Sequence, residues 1–354
     1  MKRITLLCAA LCTMFTASAQ TEVTPFTPGS TLEGVNYFLP RTALRIVVEV
    51  EKTEVTPGDL SKYAYRYLRL EQVPSEPSTN YSIKSIKVEP YGVVDPSKAY
   101  SIKVKSKTVA PLVTLTPEGI LLAINKTTAA AQQRTGQEDK QGGESDIDPR
   151  SYMSQEILTA GSTSKMAELC AQEIYDIREA RNALTRGEAD NLPKDGEQLR
   201  LMLNKLDEQA AALESLFKGR KKTTLSTHEL TFIPEEEKEV LLFRFSQKLG
   251  VVDVDDLSGT PVFISLTPQG ALPARQDDPS VEKKKAKMEK GIYYNVPVRE
   301  HVRIYDVRHT YCETEQAMGQ FGSVEVLSDM LFNKNVTTSV TFYPETGGVE
   351  KLEQ

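Results

Sequence analysis

The chain has 354 residues, 39% hydrophobic, 26% charged and 7% aromatic with no tryptophan, the composition of a folded globular protein rather than a disordered or fibrous one. Its formal net charge of −6 excludes general nucleic-acid binding through a basic surface. No stretch beyond the N-terminus approaches the roughly 18 consecutive apolar residues of a membrane-spanning helix.

Residues 1–19 read as a signal peptide. Lys2 and Arg3 form a basic start, residues 4–15 are apolar, and Ala17-Ser18-Ala19 offers small residues for cleavage before Gln20. Leu7 precedes Cys8 and Leu11 precedes Cys12, which does not fit a lipoprotein site. The chain is therefore expected to be exported to the periplasm, cell envelope or medium, with Cys170 and Cys312 as its mature cysteines, read as two buried thiols.

Residues 20–128 form an N-terminal β module. Val, Ile, Thr and Tyr recur there in short alternating runs, as in Arg45-Ile46-Val47-Val48-Glu49-Val50 and Tyr63-Ala64-Tyr65-Arg66-Tyr67-Leu68. Residues 129–161 are a polar linker. Residues 162–219 form a helical hairpin: Met166, Leu169, Cys170, Ile174, Ile177 and Leu184 recur at helical spacing until Gly187. Asp195 and Gln198 resemble a capping box, and Leu199, Met202, Leu203, Leu206, Ala210, Leu213 and Phe217 then hold a second stripe until Gly219. Each stripe is narrow and its flanks are charged, which predicts a hairpin that projects and is held by its own seam. Strand character returns over residues 220–354, interrupted by a charged stretch at 276–290.

Two sequence blocks recur in order. Gly92-Val93-Val94-Asp95 precedes Pro111-Leu112-Val113-Thr114-Leu115-Thr116-Pro117-Glu118-Gly119, and Gly250-Val251-Val252-Asp253 precedes Pro261-Val262-Phe263-Ile264-Ser265-Leu266-Thr267-Pro268-Gln269-Gly270. Tyr65-Arg66-Tyr67 aligns upstream with Phe243-Arg244-Phe245, and residues 340–347 give a third, partial echo. The strand-Pro-x-Gly pattern suits a hairpin turn. The expected fold is α+β: two related antiparallel β modules, a third partial repeat, and an inserted antiparallel helical hairpin.

The leader, the β-rich start, the helical hairpin, Gln320-Phe321-Gly322 and the closing Pro344-Glu345-Thr346-Gly347-Gly348 together resemble an uncharacterised family of exported Bacteroidetes proteins, a DUF4831-like domain of unknown function. The resemblance spans nearly the whole mature chain. It implies an envelope or extracellular location and carries no activity, cofactor or site residue.

Chemistry-bearing residues are sparse. With residues 298–310 as one strand, His301 and His309 would stand about 26 Å apart, too far to share a metal. Asp253-Val254-Asp255-Asp256-Leu257-Ser258-Gly259 is acidic but departs from a calcium loop at its sixth and twelfth positions, so it reads as an acidic turn. No phosphate loop, nucleophile elbow or HExxH motif occurs. Tyr63, Tyr65 and Tyr67 would share a strand face like a sugar platform, but the aligned Leu241, Phe243 and Phe245 favour a core-facing stripe. No catalytic, cofactor-binding or metal residue is therefore assigned, and no cofactor. The expected function is a non-catalytic binding, assembly or structural protein of the envelope, with a protein partner on the helical hairpin and a glycan as the lesser alternative. The alternative class is an envelope glycan or peptide hydrolase using unidentified carboxylates.

Overall fold

The computed structural model describes residues 22–25, 34–103, 112–128, 148–189, 193, 195–236, 238–270, 291–328 and 338–353. Their architecture is α+β, with three antiparallel sheets and an inserted helical pair.

The first sheet has the order β1-β3-β2-β6, where β1 is Glu22–Pro25, β2 Val35–Thr56, β3 Ser78–Lys103 and β6 Arg220–Phe232. The second is β11-β10-β9-β7-β8, comprising β7 (Glu239–Ser246), β8 (Gly250–Val252), β9 (Thr260–Pro268), β10 (Gly291–Tyr305) and β11 (Thr310–Ser328). The third is β13-β12-β5-β4, comprising β4 (Val113–Leu115), β5 (Leu121–Ile124), β12 (Ser339–Phe342) and β13 (Val349–Glu353).

Alternation along β2 puts Leu44, Ile46, Val48 and Val50 on one face. They pack against Val262, Ile264, Val302, Ile304 and Met318 of the second sheet, forming a sandwich core. Nearer its start β2 changes parity, and Tyr37 and Leu39 join Ile102, Ile124, Ile292, Val340 and Phe342 in a second core shared with the third sheet. A register shift between Phe38 and Pro40 accompanies the change: on β3, residues 95–98 all stand opposite Leu39. The second sheet contains a matching excursion, since residues 319–322 of β11 stand opposite Pro297 of β10.

These excursions and the β12–β13 turn meet where the three sheets adjoin. Thr42 N donates to Gln320 Oε1 at 2.9 Å, Thr42 Oγ1 donates to the Glu345 carbonyl at 2.9 Å, and Gly319 N donates back to Thr42 Oγ1 at 3.0 Å. Asn295 Nδ2 donates to the carbonyls of Pro40 and Thr346 at 3.0 and 2.8 Å. Gly319 has no room for a side chain, because a Cβ there would stand 2.4 Å from the Thr346 carbonyl oxygen. The Gln320-Phe321-Gly322 and Pro344–Gly348 signatures are thus residues of a hydrogen-bonded joint.

Two expectations about strands are corrected. Residues 63–68 are helical: a 3-10 turn over Ser61–Tyr63 leads into α1, Ala64–Leu68. Packing outweighs β propensity here, because Leu60, Ala64 and Leu68 are spaced by four and are all buried in a helical layer. Residues 298–310 are not one strand but the end of β10, a turn at 306–309 and the start of β11. Asp306 Oδ1 makes that turn by accepting from the backbone of Arg308 and His309, both at 2.6 Å.

The recurring blocks share turn chemistry rather than placement. Each ends in a glycine at positive φ, Gly119 and Gly270. The first block falls on β3 and β4, in two sheets, whereas the second falls on β8 and β9, in one. Tyr65-Arg66-Tyr67 is helical where Phe243-Arg244-Phe245 is a strand. The third echo is a strand and turn as read, with Gly347 at φ 73° closing the β12–β13 hairpin.

Candidate functional site

The helical region forms an arm with its own core. Ser162 caps α3 (Thr163–Arg186) by accepting from Lys165 N, and Gly187 ends it at φ 74°. Asp195 caps α4 (Gly196–Lys218) by accepting from Glu197 N, so the expected cap is present with a different donor. The end of the polar linker also folds: Pro149–Tyr152 is a 3-10 turn and α2 spans Gln155–Leu158. Most of that linker, the charged stretch at 276–290 and the leader lie outside the described residues.

Cys170, Ile174, Ile177, Leu213, Leu216 and Phe217 bury against one another, against Leu60 before the 3-10 turn, and against Ala64 and Leu68 of α1. Among the described residues, no strand residue belongs to this cluster. The arm is held by its own core as expected, but that core includes α1 and α2 as well as the seam between α3 and α4. Arg178 to Glu214 at 2.6 Å and Arg181 to Asp207 at 2.7 Å bridge the two long helices outside the seam.

The end of β2 and the start of β6 meet the arm side by side. Leu60 N donates to the Leu216 carbonyl at 2.8 Å. A Cβ on Gly58 would stand 2.0 Å from the Leu216 oxygen, and one on Gly219, at φ 77°, 2.3 Å from the Thr56 oxygen. Only glycine permits both approaches, so the arm is clamped where it meets β2 and β6. Beside the clamp lies a cleft of about 1030 Å³, where Asp59, Asp148 and Glu208 face Arg150, Lys221 and Lys222.

The arm's outer surface presents tyrosines paired with arginines. Tyr65 is 58% exposed and Tyr175 43%. The Arg69 guanidinium lies 5.6 Å from the Tyr65 ring centre, Arg178 5.5 Å from Tyr175, and Arg66 5.3 Å from Tyr67. The Tyr175 hydroxyl donates to the Tyr67 carbonyl at 2.9 Å, tying α3 to α1. Arg69 itself sits at φ 56°, in the left-handed region, as the residue that ends α1. Of the three tyrosines read as one strand face, Tyr63 and Tyr67 pack against the arm core and Tyr65 points away.

The other candidate residues do not converge. Cys170 is buried in the arm, Cys312 borders the sandwich core, and they are not bridged. Burial pushes the Cys170 thiol up to about 11, so it is poorly nucleophilic at neutral pH. His301 meets Glu313 at 2.8 Å on β11, His309 lies in the turn, and His228 is on β6 opposite Val48. Asp253–Gly259 is a turn between β8 and β9, in which Asp256 Oδ1 accepts from Ser258 N at 2.9 Å and Arg244 Nε donates to the Val254 carbonyl at 2.7 Å. Among the described residues, no group of three or more His, Cys, Asp or Glu side chains is placed to hold a metal, and no helix is long and apolar enough to cross a membrane.

Sequence reasoning missed the tyrosine–arginine face because it took α1 for a strand. The signal was present in the spacing of Leu60, Ala64 and Leu68.

No curated protein and no solved structure matches the chain. The family described as Domain of unknown function (DUF4831) matches residues 33–350, a span that includes both β regions, the arm and the three-sheet joint. The chain belongs to this family.

Proposed function

We propose that the protein is an exported, non-catalytic binding or assembly protein of the cell envelope that engages a protein partner through its helical arm. The observation that carries this reading is the exposed set of Tyr65, Tyr175, Arg66 and Arg69 on an arm whose core is separate from the sheets. Tyrosine and arginine are the residue types enriched where protein partners dock, because they combine large contact area with directed polar groups. Export rests on the leader-like residues 1–19.

The test is affinity capture from envelope extract with the mature protein and with a Tyr65→Ala/Tyr175→Ala double variant. A partner held by the first and lost by the folded second is the expected result. Equal capture by both would remove the arm face from the account. N-terminal mass analysis of the envelope fraction tests export, with a chain beginning near Gln20 expected; retention of Met1 there would oppose it.

A further inference from the structure

The three-sheet joint contains a juxtaposition that its packing role does not require. The excursion of β3 at residues 95–98 carries Lys98 across the sandwich toward Asn295 on β10, 197 residues later in the chain. Excursions of this kind re-aim side chains. Lys98 Nζ stands 3.5 Å from Asn295 Oδ1, at the outer limit of hydrogen bonding, which places the amine beside the carboxamide.

The carboxamide is immobilised. Asn295 is wholly buried, and its Nδ2 donates to the carbonyls of Pro40 and Thr346. Those two acceptors fix which side-chain atom is the oxygen and turn it toward Lys98. Lys98 is half-buried, and that burial pushes its ammonium down from the ordinary lysine value, against the opposing pull of the Asp95 charge. Asp95 is buried in the same excursion, where its Oδ1 accepts from Ser97 N at 3.0 Å and Ser97 Oγ at 2.6 Å. One rung along the same two strands, Tyr100 stacks on Tyr293 with ring centres 4.4 Å apart and covers that side. An amine with a weakened hold on its proton, a fixed carboxamide and a buried carboxyl group are the parts needed for amide exchange.

We propose that Lys98 and Asn295 join in an intramolecular isopeptide bond between Nζ and Cγ, with release of ammonia. The lysine, as the neutral amine, adds to Cγ, and the carbonyl pair moves onto Oδ1. Asp95 accepts a proton from Nζ and passes it to Nδ2. The Cγ–Nδ2 bond then breaks with its electron pair on the departing ammonia, and the Oδ1 carbonyl reforms. The net change converts lysine ammonium and asparagine amide into a secondary amide and an ammonium ion, so no oxidant or cofactor is needed. The bond ties the first sheet to the second beside the joint, a covalent brace in a chain whose Cys170 and Cys312 are not bridged.

The test is the intact mass, under denaturing conditions, of the mature protein beside a Lys98→Arg variant, which keeps the charge and cannot form the bond. The expected wild-type mass is about 17 Da below the value its composition gives, after correction for the Lys-to-Arg difference between the two chains. An N-terminal glutamine can cyclise with the same loss, and the variant cancels that contribution because both chains share it. A tryptic digest of the wild type should contain one branched peptide joining the segments around Lys98 and Asn295. Cleavage after Lys98 together with an unmodified Asn295 peptide in folded wild-type protein would overturn the proposal, whether or not the variant folds. Asp95→Asn is expected to give slow, incomplete mass loss; full loss at the wild-type rate would remove Asp95 from the reaction.

Discussion

The β body and the helical arm bury their apolar surface by different routes. The body depends on partners distant in sequence: β2 pairs with β3 on one edge and β6 on the other, and its core faces strands from β7 onward, beyond residue 238. The arm depends mainly on neighbours along the chain, with α3 and α4 closing a core that α1 and α2 complete. The body's polar groups at the joint are buried and hydrogen-bonded, whereas the arm's charges stand outside its seam. The difference teaches where damage spreads. A fault at the joint is expected to loosen three sheets together, and a fault in the arm core to stop at the glycine clamp.

The largest expected effect comes from the arm core. Phe217→Ala removes a fully buried ring and should cost about 3–5 kcal/mol, with hydrogen exchange rising over α3 and α4 while β2 stays protected. Ile304→Ala in the sandwich should cost about 2–5 kcal/mol and raise exchange throughout the sheets. Equal loss of protection in both regions for both variants would break the comparison.

Smaller effects sharpen it. Thr42→Ala leaves groups of the joint unpaired and should cost about 1–3 kcal/mol in denaturant unfolding, without selectively exposing the arm. Gly219→Ala forces a Cβ into the clamp at a positive φ and should cost about 1–3 kcal/mol, with amide exchange rising first at the arm base.

The pH dependence of the arm follows from Glu214. Burial alone would raise its carboxyl, but hydrogen bonds from Lys218 and Arg178 outweigh that and hold it below its ordinary value of 4.5. A lowered folded value means that the stabilisation is present above pH 4.5 and is lost as the pH falls through the folded value. Exchange over α3 and α4 should therefore rise on acidification, and Glu214→Gln should flatten that dependence. The smallest stability change is expected for Tyr65→Ala, within about 0.5 kcal/mol, because the ring is mostly exposed and its loss should show only in partner capture.

The sequence made the arm legible because its determinants are local: Ser162, Gly187, Asp195 and Gly219 mark helix ends, and the apolar spacing marks the seam. Residues 45–50 were legible as a strand for the same reason, since alternation is a local pattern. Tyr63-Ala64-Tyr65-Arg66-Tyr67-Leu68 misled because strand-prone tyrosines concealed a period of four that matters only once α3 and α4 supply a surface. The joint was visible as motifs but not as an object. Its parts, Thr42, Asn295, Gln320 and Glu345, meet only through the register of two sheets and the position of a turn in a third. Glycines at positive φ after a Pro-x pattern, at Gly119, Gly270 and Gly347, gave the impression of duplicated modules, although strand ends in unrelated places use the same residues.

The central claim is that the arm is a separable unit on a β body that folds without it. Its most direct test is an armless chain in which residues 57–77 are replaced by a tight turn of about two to four residues and residues 148–219 by a short Gly/Ser linker. The first closure is feasible because Val55 and Ser78 are already paired across β2 and β3. Removing both segments avoids leaving Leu60, Ala64, Leu68 and Ile157 exposed. Thermal unfolding followed by circular dichroism should show one cooperative transition with a β spectrum, close to that of the body in the parent chain. Aggregation, or a broad non-cooperative loss of signal, would show that the sheets need the arm to fold and would contradict the account.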